Sequence, residues 1–193
     1  MFKFVYFTFL LLALTNRYIV TQKVLKMDKV KGQIHAGWIT KLIFLFYFLI
    51  FAAPPTELLL VNRNINYYVS FSAFALYIAG MFFWLWAIKN LNKYWSVDIE
   101  IRENHPLIKT GPYRYFRHPH YLFIFCELLG LPLIANAYYS LILISAIYIP
   151  LIILRIVYEE RALIEKFGDA YIEYKKEVWG LFPIPLFKKG VRS

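Results

Sequence analysis

Two stretches of this 193-residue sequence combine residue types that could bind a small polar ligand. The first runs from His105 to Tyr121 and is dense in proline, glycine, histidine, tyrosine and arginine. Pro106, Gly111 and Pro119 work against a continuous helix and favour a shaped loop. Such a loop leaves backbone N–H and C=O groups free to bind an adenine or ribose edge. The alternative is a connector at a membrane surface, in which His118 only caps the next helix.

The second stretch places Arg155 and Glu159 four residues apart, which puts them on one face of a helix. The alternative interpretation is an ordinary exposed ion pair, worth a few tenths of a kcal/mol. Arginine ahead of glutamate is the poorer order for such a pair. Arg155 also ends an apolar segment, where an ionisable group is costly unless it has a task. The pair is therefore a candidate for binding or catalysis, with the ion pair left open.

Other chemistry-bearing residues are few. Glu127 lies six residues into an apolar segment, about 9 Å along a helix axis, and is either functional or paired with a neighbouring helix. The single cysteine, Cys126, excludes an internal disulfide and is interpreted as a small apolar residue. The sequence contains no recognised nucleoside-triphosphate, dinucleotide or metal-binding motif, so no metal site is predicted.

The composition predicts the kind of secondary structure that positions these residues. The chain is 60% apolar and only 18% charged, with a mean hydropathy of +0.51, which excludes a soluble enzyme and a disordered chain. We predict one all-α, polytopic membrane domain over residues 1–193 with about five transmembrane helices. The predicted spans are residues 4–20, 42–53 (extending towards 61), 64–88, 121–135 and 138–157. The first could instead be a signal peptide.

Within this domain, residues 1–88 would hold three spans, and residues 89–193 a catalytic region with a helical hairpin turning at Asn136 and a C-terminal helix. The net charge of +10 is concentrated in alternate loops. The loop between spans 1 and 2 is basic, because we assign to it Arg17, Lys23, Lys26, Lys29, Lys31 and Lys41. This alternation predicts that the C-terminus and residues 90–120 face the cytoplasm. The partner implied is the lipid bilayer and not nucleic acid, and no oligomeric state is predicted.

Four motifs together carry a family resemblance. They are His105-x-Leu-Ile-x-x-Gly111-x-Tyr113, Arg117-His-Pro-x-Tyr121, Arg155-x-x-x-Glu159-Glu160 and Phe167-Gly168-x-x-Tyr171-x-x-Tyr174. Over residues 90–183 the chain resembles the isoprenylcysteine carboxyl methyltransferase family, within a wider membrane methyltransferase group that includes phospholipid methyltransferases. The first two spans resemble the family only in being apolar.

The resemblance implies S-adenosylmethionine as the methyl donor, with S-adenosylhomocysteine as product. Its pocket would lie on the cytoplasmic side, between the loop before span 4 and the C-terminal helix. Glu159 would bind the ammonium of the cofactor, Arg155 would hold the acceptor carboxylate, and Arg155 and His118 are the catalytic candidates. The remaining cofactor-binding candidates are Asp98, His105, Pro106, Leu107, Ile108, Tyr113, His118, Pro119, His120 and Tyr121. Two of these depart from the family pattern: Asp98 replaces a common glutamine, and His120 a small or apolar residue.

The expected acceptor is the α-carboxylate of a prenylated cysteine, which is already a nucleophile at neutral pH. A phospholipid amine or an alkyl phenol is the alternative acceptor. Either would need a base, for which His118, His120 and Glu127 are available. An alternative of another class is a non-enzymatic membrane scaffold or transport component.

Overall fold

A computed structural model of the chain describes residues 1–25, 32–102 and 106–181, which form six α-helices and a two-stranded sheet. In chain order the elements are α1 Phe2–Leu25, β1 Gly32–His35, α2 Gly37–Leu60, α3 Tyr67–Leu91, β2 Ile99–Arg102, α4 Pro119–Ile134, α5 Tyr138–Phe167 and α6 Asp169–Glu177. Short 3₁₀ turns occur at Asn92–Tyr94 and Gly111–Arg114. The all-α polytopic class is confirmed, and the small sheet is an addition that the sequence did not predict.

Each of the five predicted spans is a helix. α1, α2, α3 and α5 are long and apolar enough to cross a membrane, judged by length and composition. α4 is a shorter apolar helix of 16 residues, about 24 Å long where a full span needs about 20 residues. Within the described ranges, four helices therefore meet the length of a span, and a fifth complete crossing stays a prediction.

Local residues explain where the helices begin and end. The Asn66 side chain accepts hydrogen bonds from the backbone N–H groups of Tyr68 and Val69, which caps the start of α3. Gly168 has a φ of +54° between α5 and α6, a left-handed conformation that a side chain disfavours. α5 thus continues ten residues beyond its predicted end at Val157, to Phe167, because neither proline nor glycine occurs between Val157 and this glycine.

The closest helix packing joins α3 to α4. A Cβ on Gly80 would lie 2.6 Å from the Cβ of Cys126, so only glycine allows this approach. One turn further along α3, the Trp84 ring stacks on Phe123 with 5.0 Å between centroids. Tyr77 is buried beside them and packs edge-on against Phe123. These contacts hold the start of α4 firmly against the C-terminal half of α3.

The connections between helices fall at two ends of the bundle. At one end β1, before α2, pairs antiparallel with β2, after α3, with Gly32 opposite Arg102. At the other end the Asn136 side chain accepts a hydrogen bond from the N–H of Asn66 and donates to Ser70, both at 2.8 Å. The α1–α2 and α3–α4 connections therefore share one end, which we call the loop end. This grouping agrees with the relative sidedness predicted from charge.

A labelling experiment tests which side the loop end faces. In a Cys126→Ala background, Arg114→Cys places a thiol at the loop end and Asn64→Cys at the opposite end, and both native side chains are exposed. Because basic loops stay in the cytoplasm, we expect a membrane-impermeant maleimide to label Arg114→Cys only in inverted vesicles and Asn64→Cys only in intact cells. Labelling of both positions from one side would contradict the predicted topology.

Candidate functional site

Arg155 is the central cation of the loop end. Its side chain is only 8% exposed, and its guanidinium donates to groups on three other parts of the chain. Nε donates to the Tyr121 hydroxyl at 2.7 Å, Nη1 donates to the Thr40 hydroxyl at 2.9 Å, and Nη2 donates to the carbonyl oxygen of Val97. A buried guanidinium without such partners would be strongly destabilising. Arg155 therefore fixes α2, α4 and the segment before β2 relative to α5.

Tyr121 connects Arg155 to Glu159. The Tyr121 hydroxyl accepts from Arg155 and donates to Glu159 Oε2 at 2.5 Å. The two residues predicted to share a helix face do so, but they are joined through a phenol supplied by α4. An ordinary exposed ion pair is therefore the wrong interpretation of this spacing.

Glu160 forms a second polar cluster next to the first. Its carboxylate accepts from Arg117 Nε at 2.9 Å and from Lys175 Nζ at 2.6 Å, and it lies 3.2 Å from His118 Nε2. His118 sits at the N-cap position of α4 and its Nδ1 lies 4.0 Å from Glu159. One carboxylate thus joins the loop before α4, α5 and α6.

The segment after α6 closes on the same loop. The N–H of Arg117 donates to the carbonyl oxygen of Trp179 at 2.8 Å, and the N–H of His118 donates to that of Gly180 at 3.2 Å. The Arg117 guanidinium also donates to the carbonyl oxygens of Lys175 and Val178. The loop before α4 is therefore held by both side-chain and backbone contacts from the C-terminal part of the chain.

A cavity of about 120 Å³ lies between this loop, α5 and α6. We call it the loop cavity. Its walls include six predicted cofactor-binding residues: Asp98, Pro106, Leu107, Ile108, Tyr113 and Glu159. The Tyr171 hydroxyl, from another lining residue, is buried without a hydrogen-bond partner among the described residues. The cavity thus offers carboxylates, a free phenolic donor and apolar surface.

The tyrosines around the loop cavity are neutral. Burial, reinforced by the nearby Glu159 carboxylate, raises the pKa of Tyr113. Burial and the two neighbouring glutamates raise the pKa of Tyr171 in the same way. Burial also raises the pKa of Tyr174, which donates to the carbonyl oxygen of Tyr113 at 2.5 Å. These phenols stay protonated near neutral pH and act as hydrogen-bond donors, not as bases.

A second cavity of about 160 Å³ lies inside the helix bundle. We call it the bundle cavity. Its walls are mostly apolar and come from α1, α2, α3, α4 and α5, with Ile43, Phe44, Ile124 and Ile152 among the lining residues. Arg155, Tyr121, His120 and Arg17 are among the residues that supply its polar groups, with Thr21, Tyr47 and Tyr148. An elongated apolar molecule with one polar end matches this surface.

The predicted site residues therefore divide between two cavities. His120 and Tyr121 line the bundle cavity with Arg155, whereas Glu159 and the other loop residues line the loop cavity. His118 and Pro119 are buried and are not among the described residues lining either cavity. His105 lies outside the residues that the structure describes. Tyr121 is the junction, because it lines one cavity and its hydroxyl bonds Glu159 of the other.

Some site residues escaped the sequence reasoning. Arg17 was counted as a loop charge, but it lies on α1 and its guanidinium sits within the bundle, 4.6 Å from the Trp84 ring centroid. The signal was present, since Arg17 interrupts an apolar stretch. Glu127, left open, lies 3.9 Å from Arg17 and accepts from the Tyr47 hydroxyl at 3.0 Å. Tyr94, Ser96 and Leu163 of the loop cavity had no sequence signal at all.

Comparison with known proteins gives the evolutionary setting of this site. Residues 73–165 match the model of the isoprenylcysteine carboxyl methyltransferase (ICMT) family. The chain belongs to this family. The matched region contains Asp98, Tyr121, Arg155 and Glu159, and therefore the junction between the two cavities. Arg17 on α1 and Tyr171 on α6 lie outside it.

Three relatives show how far the similarity extends. An uncharacterized protein of Bacillus subtilis, YpbQ, is 31% identical over 146 residues, which are 75% of this chain and 83% of the relative. The protein-S-isoprenylcysteine O-methyltransferase of Saccharomyces cerevisiae is 40% identical over 82 residues, 42% of this chain and 34% of that enzyme. The enzyme of that name in Schizosaccharomyces pombe is 34% identical over 82 residues, 42% of this chain and 35% of that enzyme. The match thus spans about a third of the length of the yeast enzymes.

Removing the charge of Glu160 tests whether it holds the loop end together. We expect Glu160→Gln to lower thermal stability, because Arg117 and Lys175 lose their shared carboxylate. The carboxylate is partly buried, so the loss should lie between about 1 kcal/mol for an exposed pair and about 3–5 kcal/mol for a buried one. The matched control is Glu165→Gln, an exposed position on α5. Equal melting temperatures of the two variants in detergent would contradict the role.

Proposed function

We propose that this protein is an S-adenosylmethionine-dependent methyltransferase that methylates the α-carboxylate of a prenylated cysteine. The observation that carries the proposal is the division of the site into two cavities that are connected through Tyr121, which lines one and bonds Glu159 of the other. The loop cavity is the more polar of the two and bears Glu159, and the bundle cavity is mostly apolar and bears Arg155. Membership of the family and the names of the yeast relatives support the reaction type.

The residues of the loop cavity fit S-adenosylmethionine. Glu159 supplies a carboxylate for the ammonium of its methionine part. The partnerless Tyr171 hydroxyl can donate to a nucleoside oxygen or ring nitrogen. Pro106, Leu107 and Ile108 provide apolar contact for a flat base. When bound, the cofactor would supply a sulfonium methyl group that a nucleophile attacks in line, and the C–S bond would break with the neutral thioether of S-adenosylhomocysteine as the leaving group.

The bundle cavity fits the acceptor. Its aliphatic and aromatic walls suit a prenyl chain. Three of the five N–H groups of Arg155 are used within the protein, which leaves one on each Nη nitrogen to bind a carboxylate. The main contribution of the protein to the reaction is therefore positioning: Arg155 holds the nucleophile beside Tyr121, and Glu159 holds the donor on the other side.

Two features of the bundle cavity favour a carboxylate over an amine or a phenol. Arg17 and Arg155 both line it, and two guanidinium groups disfavour a cationic amine. His120 is a poor base there, because its Nδ1 accepts the indole N–H of Trp84 at 3.0 Å. In the neutral ring the proton then sits on Nε2, so this nitrogen can donate but cannot take a proton from an acceptor.

Purified protein in nanodiscs with methyl-labelled S-adenosylmethionine tests the proposal. The acceptors offered are N-acetyl-S-farnesylcysteine, phosphatidylethanolamine and a long-chain alkyl phenol. We expect label only on the farnesylcysteine, and we expect mild base to release it as methanol, because a methyl ester is hydrolysed whereas an N-methyl group or a methyl ether is not. Label in either other acceptor would replace the proposed substrate, and no transfer to any would contradict the activity.

Two variants separate the roles of donor and acceptor residues. We expect Glu159→Gln to weaken S-adenosylmethionine binding about tenfold or more, because a charge-assisted contact is lost. We expect Arg155→Gln to abolish turnover while weakening this binding less than Glu159→Gln does, because Arg155 reaches Glu159 only through Tyr121. Calorimetry gives the affinities, with Glu165→Gln as the exposed control on the same helix. Unchanged affinity in Glu159→Gln, or wild-type turnover in Arg155→Gln, would refute the respective assignment.

A further inference from the structure

Arg17 is held in a fixed position within the bundle. Its guanidinium carbon lies 4.6 Å from the ring centroid of Trp84 and 5.6 Å from that of Tyr47. Trp84 is itself immobilised by its hydrogen bond to His120 and its stacking on Phe123. The cation therefore rests on a rigid aromatic surface at the wall of the bundle cavity.

The Arg17 guanidinium forms a long ion pair with Glu127, and one of its nitrogens makes no hydrogen bond to the described residues. Nη1 lies 3.9 Å from Glu127 Oε2, which is beyond hydrogen-bond distance, and that oxygen accepts from the Tyr47 hydroxyl instead. Nη1 is buried and has no hydrogen-bond partner among the residues that the structure describes. A buried charged donor in this state costs folding free energy. Glu127 Oε1 is likewise buried without a hydrogen-bond partner among the described residues, so the ion pair leaves both groups short of hydrogen bonds.

The two arginines of the bundle cavity thus differ. Arg155 is committed through three hydrogen bonds that hold the helices together. Arg17 packs on aromatic faces, lies 3.9 Å from the Glu127 carboxylate and keeps one nitrogen without a hydrogen bond among the described residues. A ligand anion in the cavity would gain more from Arg17 than from a residue whose donors are mostly used.

We propose that Arg17 is a second anion-binding residue of the bundle cavity and binds the carboxylate of the lipophilic acceptor together with Arg155. The assignment of the acceptor rests on the proposed function. Arg17 then determines specificity: it selects a carboxylate over an uncharged or cationic polar end, while the apolar walls bind the chain.

The test compares an acid with its uncharged analogue. N-acetyl-S-farnesylcysteine and its carboxamide are titrated into the protein in phosphatidylcholine nanodiscs, and binding is followed by the fluorescence of Trp84 and Trp95, which line the cavity. The quantity measured is the ratio of the two Kd values, so that partitioning of the farnesyl chain into the disc cancels between variants. This assay needs no cofactor and no turnover.

We expect wild-type protein to bind the acid about tenfold or more tightly than the carboxamide. Arg17→Gln should lower the ratio several-fold and leave only the preference that Arg155 supplies. The matched control Lys23→Gln removes an exposed cation from the same helix and should keep the wild-type ratio. A wild-type ratio in Arg17→Gln, or no preference in the wild type, would overturn the proposal.

A double variant and a second anionic ligand complete the experiment. Arg17→Gln leaves Glu127 buried without a cation, which can prevent folding. The double variant Arg17→Gln/Glu127→Gln removes both charges and is assayed where the single variant does not fold. Its ratio of the two Kd values is then compared with the wild-type ratio. Farnesyl phosphate is the second anion, and binding tighter than that of the acid would overturn the assignment to a carboxylate. A wild-type preference for the acid with no methyl transfer would refute the proposed function while leaving anion binding by Arg17 intact.

Discussion

The structure of the loop end depends on the burial of one guanidinium group. A cation inside an apolar helix bundle is strongly destabilising unless its N–H groups have acceptors, and those of Arg155 come from Thr40 on α2, Tyr121 on α4 and the Val97 carbonyl before β2. All three acceptors are far from Arg155 in the sequence. The need to satisfy the buried guanidinium therefore fixes how these parts of the chain are arranged around α5. Both cavities lie around the same group of residues, because Arg155 and Tyr121 line one and the Tyr121 hydroxyl bonds Glu159 of the other.

Glu160 holds the loop before α4 in the same way, but here the central group is an anion and its partners are mostly cations. A carboxylate shared by Arg117, Lys175 and His118 draws that loop and α6 onto the last turns of α5. The prolines and glycines of the loop give it a shape but no attachment. The attachment comes from this carboxylate and from the backbone pairing with Trp179 and Gly180.

Sequence reasoning succeeded where composition alone decides and failed where distant parts of the chain meet. Apolar segments of about twenty residues have few alternatives to a helix, so the spans were predictable. The strands Gly32–His35 and Ile99–Arg102 have four residues each, too few for a recognisable alternation. The spacing of Arg155 and Glu159 predicted a shared face. It could not reveal that Tyr121 from α4 lies between them, or that Arg17 faces the bundle interior.

The separation of charge at Tyr121 has a consequence for how two substrates would meet. A direct contact between Arg155 and Glu159 would neutralise both groups, and each would then bind an oppositely charged ligand weakly. The phenol keeps them apart while satisfying one donor of the first and one acceptor site of the second. The loop cavity thereby keeps an excess of carboxylates, with Asp98, Glu100 and Glu159 against Arg117, and the bundle cavity keeps the guanidiniums of Arg17 and Arg155. In the proposed reaction, a cationic donor and an anionic acceptor would then be drawn to different cavities that meet at Tyr121, which would bring the two substrates together at one place.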